Sequence, residues 1–217
     1  MKITSVEPQK KNPKRFNIFL DGVFVFGADE DLVVDYRLII GKEITPSDLE
    51  KLLKGSEIGK LMERMYRLFN IRQRSEKEVR EYIRNLSFKR KLKDREEISE
   101  FATNSLIEKL QKKGMLNDLE FARSWMEARG KKFGINRIKQ ELYKKGINRE
   151  IIEEVMNSEF RVQNSETVAE NQLERKLERW KNLKPMEFRK KAFDFLLRRG
   201  FEYEIVKNIV EKIMEKG

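Results

Sequence analysis

The spacing of apolar and polar positions changes character near residue 30. Before it, Phe16-Asn17-Ile18-Phe19-Leu20 and Val23-Phe24-Val25-Phe26 flank Asp21-Gly22. Asp-Gly between β-rich runs signals a hairpin, because a type I′ turn needs positive φ at both central residues. Ile3 to Val6 can add a third strand, and Pro13, among basic residues, fits the loop between the first two. From Glu30 the spacing turns helical through Leu32, Val33, Tyr36 and Leu38. Ile44-Thr45-Pro46-Ser47 marks a further helix start, with Pro46 at its first position. Gly55-Ser56 and Gly59 read as a join.

From Lys60 onward every apolar pattern is helical. Leu61, Met65, Leu68 and Phe69 share a face. Ser75-Glu76-Lys77-Glu78 is a capping box ahead of Val79, Tyr82, Ile83 and Leu86. A longer helix runs through Ile98, Phe101, Leu106, Ile107 and Leu110 to Gly114. Asn117 caps a helix burying Phe121, Ala122, Trp125 and Met126, Gly134 opens the one with Ile138 and Leu142, and Asn148 caps the one with Ile151, Ile152 and Val155. The last three helices start near Ser165, Pro185 and Glu202. This predicts nine helices after residue 60, in three sets of three.

Three helix ends carry two cations, a glycine and an apolar residue: Lys112-Lys113-Gly114-Met115, Lys144-Lys145-Gly146-Ile147 and Arg198-Arg199-Gly200-Phe201. Cations suit the negative end of the helix dipole, and glycine suits the left-handed residue beyond it. A shift of 54 residues places Gly146 on Gly200, Leu142 on Leu196, Ile147 on Phe201, Ile151 on Ile205, Ile152 on Val206 and Val155 on Ile209. One helix–turn–helix is written twice. The first set matches weakly: with Val79 on Ile138 and Ile83 on Leu142, Ser87 takes the place of Gly146, and an extra basic stretch, Lys89 to Lys93, follows. The expected class is mainly α, with tandem three-helix modules after a small β-hairpin segment. The predicted divisions are 1–59, 60–116, 117–160 and 161–217.

The net charge of the 217 residues is +11, unevenly spread: residues 1–59 carry a net −1 and residues 60–217 a net +12. The helical part therefore suits an anionic partner, and nucleic acid is the commonest. With no cysteine and no histidine, disulfides, thiolate nucleophiles, Cys/His zinc sites and imidazole catalysis are excluded. No phosphate loop or dinucleotide fingerprint occurs. No run of apolar residues reaches membrane-span length and the N-terminus lacks a signal-peptide core, so the expectation is a cytoplasmic monomer with no membrane contact and no cofactor. Asp29, Glu30, Asp31 and Asp35 could ligate Mg²⁺ in a nuclease, but they fit better as acids at a helix N-terminus.

The cations form candidate contact residues in three groups. Arg72, Arg74, Arg80 and Arg84 belong to the first set. Lys131, Lys132, Arg137, Lys139, Lys144 and Lys145 belong to the second, and Arg189, Lys190, Lys191, Arg198 and Arg199 to the third. In stacked modules they make a discontinuous basic stripe able to follow a phosphate backbone or an acidic protein groove. Trp125, Phe193 and Phe195 lie at helical spacing among aliphatics, which favours core packing over base stacking.

Four segments carry a resemblance. Arg72-Gln73-Arg74-Ser75-Glu76-Lys77-Glu78-Val79 resembles the opening R-x-R-S-x-x-E-L of the RecX family. Gly114 to Ala122, Gly134 to Gly146 and Phe195 to Phe201 resemble its G-x-L-[ND]-D-x-x-[FY]-A, G-x-x-x-I-x-x-E-L-x-x-K-G and F-L-x-R-R-G-F segments. The first module departs from the pattern, with Tyr82 to Ser87 where a K-G helix end is usual. The resemblance implies an elongated, curved array of three modules. It also implies a non-enzymatic regulator that binds in the groove of the RecA–DNA filament and inhibits its growth, ATPase activity and strand exchange. DNA alone is expected to bind weakly and without sequence preference. The rival expectation is a general nucleic-acid-binding helical protein.

Overall fold

The computed structural model describes residues 1–156 and 160–216. Three strands, β1 (Ile3–Gln9), β2 (Asn12–Leu20) and β3 (Val23–Asp29), form an antiparallel sheet in the order β1-β2-β3. Asp21 (φ 48°) and Gly22 (φ 83°) make the anticipated turn between Leu20 and Val23. Pro13 is not in a loop but inside β2. Its position falls between the Gln9–Asn12 and Pro8–Phe16 pairs of β1, where the register is irregular, and ahead of the first β3 pair at Arg15–Asp29. Proline is tolerated at such a bulge because no ladder hydrogen bond is asked of it.

Ten helices follow among the described residues: α1 (Glu30–Asp35), α2 (Pro46–Ile71), α3 (Glu76–Lys91), α4 (Glu100–Lys112), α5 (Asp118–Gly130), α6 (Ile135–Lys144), α7 (Arg149–Met156), α8 (Phe160–Trp180), α9 (Pro185–Arg198) and α10 (Tyr203–Lys216). Helix α1 is capped by Asp29, whose carboxylate accepts from the Leu32 N–H, and stops at Asp35 before Arg37 turns left-handed. Thr45 caps α2, with Pro46 in its first turn. The expected join at Gly55–Gly59 does not exist, because α2 runs straight through it. These small residues let the helix approach the sheet. A Cβ on Gly55 would lie 2.6 Å from Leu32 Cδ1, and one on Gly59 would lie under 3.0 Å from the Asp29 carboxylate. Between them, Ser56 Oγ donates to the Gly27 carbonyl at 2.6 Å. Among the described residues eight helices, not nine, therefore begin after residue 60, and the later part of α2 supplies the remaining segment.

The chain divides into two compact units, residues 1–73 with 80–116, and residues 74–79 with 117–217. In the first, Ile3, Ile18, Leu20, Phe26, Leu38 and Leu52 close a core under the sheet. Arg15, only 4% exposed, spans sheet and helix, donating to the Gly27 carbonyl and pairing with Glu63. Helix α4 packs on α2, with Leu61, Met65, Leu106 and Leu110 fully buried. Ile98 is buried as anticipated, but two details differ. Ile98 precedes α4, which Ser99 caps, and Phe101 is 61% exposed with the Lys54 ammonium 5.7 Å from its ring centre.

In the second unit, α5–α7 enclose Phe121, Ile138, Leu142, Ile152 and Val155, and α8–α10 enclose Leu173, Leu196, Phe201, Val206 and Ile209. The 54-residue correspondence holds in space: Leu142 and Leu196 are fully buried, as are Ile152 and Val206. Truncating such a side chain to alanine costs about 2–5 kcal/mol. Gly114, Gly146 and Gly200 all take positive φ (67°, 81°, 82°). Behind them Met115, Ile147 and Phe201 donate back to the carbonyls of Leu110, Leu142 and Leu196, which closes each helix end. Helix α8 is described from Phe160, ahead of its expected start near Ser165.

Candidate interaction surface

The turns that end α6 and α9 are docking elements. Ser75 Oγ, at the start of α3, donates to the Lys145 carbonyl at 2.7 Å, and Lys77 Nζ donates to the Lys144 carbonyl at 3.0 Å. A Cβ on Gly146 would sit 2.6 Å from the Lys77 side chain. The pattern recurs one module on. The Gly134 N–H donates to the Arg199 carbonyl at 2.9 Å, and the Asn136 N–H to the Gly200 carbonyl at 3.1 Å. A Cβ on either Gly134 or Gly200 would lie under 3.0 Å from backbone atoms of the other side. The start of a module's second helix thus receives the cation–cation–glycine turn of the next.

Several anticipated contact cations are built into these joints. Lys145 is half-buried, pairs with Glu78 and lies 5.0 Å from the centre of the Trp125 ring. Arg199 is half-buried too. Its Nη1 donates to the Lys132 carbonyl (3.0 Å) and Gln172 Oε1 (2.9 Å), and its guanidinium lies 4.6 Å from the Phe195 ring centre and 5.5 Å from that of Phe133. Burial, then the nearby charges of Arg137 and Arg175, lowers its pKa from the ordinary guanidinium value. Both residues were expected among the open contact cations; packing against the preceding module explains the difference. Trp125 is half-buried, stacked on Phe121, and its Nε1 donates to Glu141 at 3.1 Å. Its ring is occupied by cations of the same chain.

Glu141 lies at the centre of this arrangement. Arg129 grips it through Nε (2.8 Å) and Nη2 (2.6 Å), and Arg137 reaches it at 3.3 Å. Burial pushes its carboxyl upward, but the hydrogen bonds from Arg129 and Trp125 prevail and hold it below its usual value. Arg129 also stacks 4.1 Å from the Phe133 ring centre. Sequence reading named Glu78 only in a capping box and Glu141 only within the Gly134–Gly146 resemblance, and it missed Arg129. A signal was present in Glu141, four residues after Arg137 on the same helix.

The remaining cations are more open. Arg137, Lys144 and Arg198 are exposed and line a cleft of about 530 Å³ with Asn136, Gln140 and Tyr203. Lys190 and Lys191 are exposed along α9, and Lys139 is half-buried on α6. Arg189 faces Glu211 at 3.9 Å and the Phe193 ring. Lys131, exposed at the end of α5, and Lys132, also exposed, are not among the lining residues of this cleft. Arg72 is exposed at the end of α2, Arg80 donates to Asn104, and Arg84 is exposed on α3. Arg74 is half-buried, with its Nε unpaired. Two of the four candidate nuclease acids are spoken for structurally: Asp29 caps α1, and Asp31 pairs with Lys109 (3.4 Å) and Lys113 (3.3 Å). Among the described residues no acidic cluster with metal-holding geometry occurs, and no helix is long and apolar enough to cross a membrane.

A small N-terminal sheet followed by repeated helical modules, docked through helix-end turns, defines a class of mainly helical, modular proteins. Residues 1–45 match the regulatory protein RecX N-terminal domain, 117–156 the second RecX three-helix domain and 165–210 the third. A curated relative from Listeria innocua, "Regulatory protein RecX", is 32% identical over 212 residues, 95% of this chain and 74% of that protein. One of the same name from Bacillus subtilis is 30% identical over 213 residues, covering 97% and 76%. A crystal structure of regulatory protein RecX superposes with a TM-score of 0.76 at 21% identity over 97% of this chain and 98% of that one. RecX from Lactobacillus salivarius gives 0.59 at 24% identity, over 72% and 96%. The chain belongs to the RecX family.

Proposed function

We propose that this chain is a non-enzymatic regulator of the RecA recombinase. It binds in the groove of the RecA–DNA filament and limits filament growth, ATPase activity and strand exchange. The observation that carries this reading is kinship with regulatory RecX proteins along nearly the whole chain. Three modules, spanning about residues 60–116, 117–160 and 161–217, contribute separate weak contacts that act together. The exposed cations among the candidates meet filament acids or DNA phosphates. The protein works in the cytoplasm as a monomer, without a cofactor.

The test adds the protein to recombinase filaments already assembled on single-stranded DNA with ATP. ATPase activity should fall at well below one copy per recombinase subunit, and removal of residues 160–217 should weaken the effect sharply. Inhibition only when the protein reaches the DNA first, relieved by excess DNA, refutes this reading in favour of a general nucleic-acid binder. Bare duplex DNA should bind weakly, with log K falling at a slope of roughly −4 to −5 against log salt if about five phosphates are neutralised.

A further inference from the structure

The two joints of the second unit both receive carbonyls of a cation–cation–glycine turn and are unlike in charge. Aligned on Val79 and Ile138, Ser75 corresponds to Gly134 and Glu78 to Arg137. Aligned by the 54-residue repeat, Lys145 corresponds to Arg199. The first joint is closed by an acid and a base, Glu78 with Lys145. At the second, an arginine replaces the acid. Arg137 Nη1 donates to the Arg198 carbonyl at 3.3 Å and its charge falls on Arg199. Glu141 faces this group and is already gripped by Arg129. Lys144 and Arg198 add positive charge on the open side. The second joint holds positive charge that its own carboxylate does not balance.

The cleft beside it has the complementary form. Its lining combines three cations and one carboxylate, the Glu141 that Arg129 already holds, with the amides of Asn136 and Gln140. Tyr203 is 57% exposed and braced by Phe193, with ring centres 5.8 Å apart. The volume lies in the range of about 300–1,000 Å³ typical of small-molecule sites, but the polar lining suits an anion with a flat apolar attachment. An aromatic face next to backbone-reading cations is the arrangement that holds an unpaired nucleotide.

We propose that this cleft binds a phosphodiester of single-stranded nucleic acid, with Arg137, Lys144 and Arg198 on the phosphate and Tyr203 under the base. Occupancy supplies the negative charge that Glu78 supplies at the first joint, and so tightens the docking of Arg199-Gly200 on Gly134-Asn136. This deepens the regulatory reading, on which it rests for the source of the strand: DNA carried by the filament.

The experiment titrates a labelled oligothymidylate into the full-length protein by fluorescence anisotropy and follows amide exchange at Gly134 and Asn136. The strand should slow exchange at both amides, and inorganic phosphate at high concentration should do so more weakly. Lys144→Ser with Arg198→Ser should weaken oligothymidylate binding roughly tenfold at 0.15 M salt, since two phosphate contacts are lost at a slope of about −0.7 each. Tyr203→Ala should weaken it with an unchanged salt slope, a readout that needs no charge deletion. Lys10→Ser with Lys11→Ser, exposed in the turn between β1 and β2 and outside the candidate cations, should change affinity less than twofold. Equal losses in both double variants, unchanged exchange at saturating oligothymidylate, or equal protection by polyglutamate each overturn the site. ATPase assays on pre-formed filaments separate the two readings. Inhibition retained by the Lys144/Arg198 variant, with oligothymidylate binding lost as expected, supports the cleft as a strand site and leaves the regulatory reading standing. Absence of inhibition by the unaltered protein refutes the regulatory reading, and the oligothymidylate data still decide the cleft.

Discussion

Gly134→Ala tests the joint between the last two modules with little backbone strain of its own. Gly134 lies at φ −75° and ψ 165°, which alanine adopts freely. Its added methyl would meet the Gly200 carbonyl and the Phe201 nitrogen under 3.0 Å, and backbone atoms cannot swing aside as a side-chain tip can. The α9–α10 turn must withdraw, which gives up the Gly134–Arg199 and Asn136–Gly200 hydrogen bonds. Two backbone bonds at about 1 kcal/mol each, with about 0.5–1 kcal/mol for alanine as a poorer N-cap than glycine, give a loss of about 2–4 kcal/mol. Urea unfolding followed by circular dichroism measures the loss, and amide exchange at Gly134 and Asn136 localises it. Two controls separate the causes. A Cβ on Gly130 meets nothing within 4 Å, so Gly130→Ala should be neutral or stabilising by up to about 1 kcal/mol. Gly114→Ala also has open space but sits at φ 67°, and should lose about 1–2 kcal/mol from backbone strain alone. A Gly134→Ala protein within about 0.5 kcal/mol of the parent, with both amides still protected, would refute the docking argument.

Other outcomes follow from single groups. Burial raises the Asp118 pKa although its carboxylate accepts from the Glu76 N–H at 2.9 Å. A raised carboxyl pKa disfavours the folded state once the group ionises, so Asp118→Asn, which keeps the acceptor, should stabilise the protein at neutral pH. In urea titrations the gain should vanish below about pH 3.9, where unfolded aspartate is itself protonated; a gain independent of pH defeats the explanation. Glu78→Gln should lose about 1–3 kcal/mol, between the exposed and buried limits for an ion pair, whereas Arg198→Ser should stay within about 0.5 kcal/mol by thermal melting. Arg199→Lys, which keeps the charge but loses the fork and the stacked plane, should still lose about 2 kcal/mol; a value near zero makes Arg199 a mere surface charge.

The repeat was legible because it rests on burial. Leu142 and Leu196 point inward at the same step of the same helix, and a left-handed glycine after a helix is nearly a signature. The hairpin was legible for the same local reason at Asp21-Gly22. What failed was decided by distant partners. Gly55 and Gly59 read as a break because glycine is a poor helix residue. Their role is close approach to Leu32 and Asp29, which no local pattern displays. Lys145 and Arg199 read as open contact cations because a helix terminus is usually open; here the next contact comes from residues 67 positions away, Glu78 and Lys132. The exposed cations Arg137, Lys144 and Arg198 were named from sequence, but their convergence on one cleft, with Tyr203, needed the fold.

The joints between modules share main-chain carbonyl acceptors and a glycine with no side chain to intrude, while the donors are side chains at one and amides at the other. Such a connection is indifferent to most of the residues around it. Ser75 and Gly134 satisfy the same role, and Glu78 and Arg137 occupy the same position with opposite charge. Mutation can therefore repaint the electrostatic character of a module without unseating it from its neighbour. Duplication of a module delivers a ready-made socket along with the plug. A lineage built on this joint can change what its surfaces attract faster than it changes how it holds together.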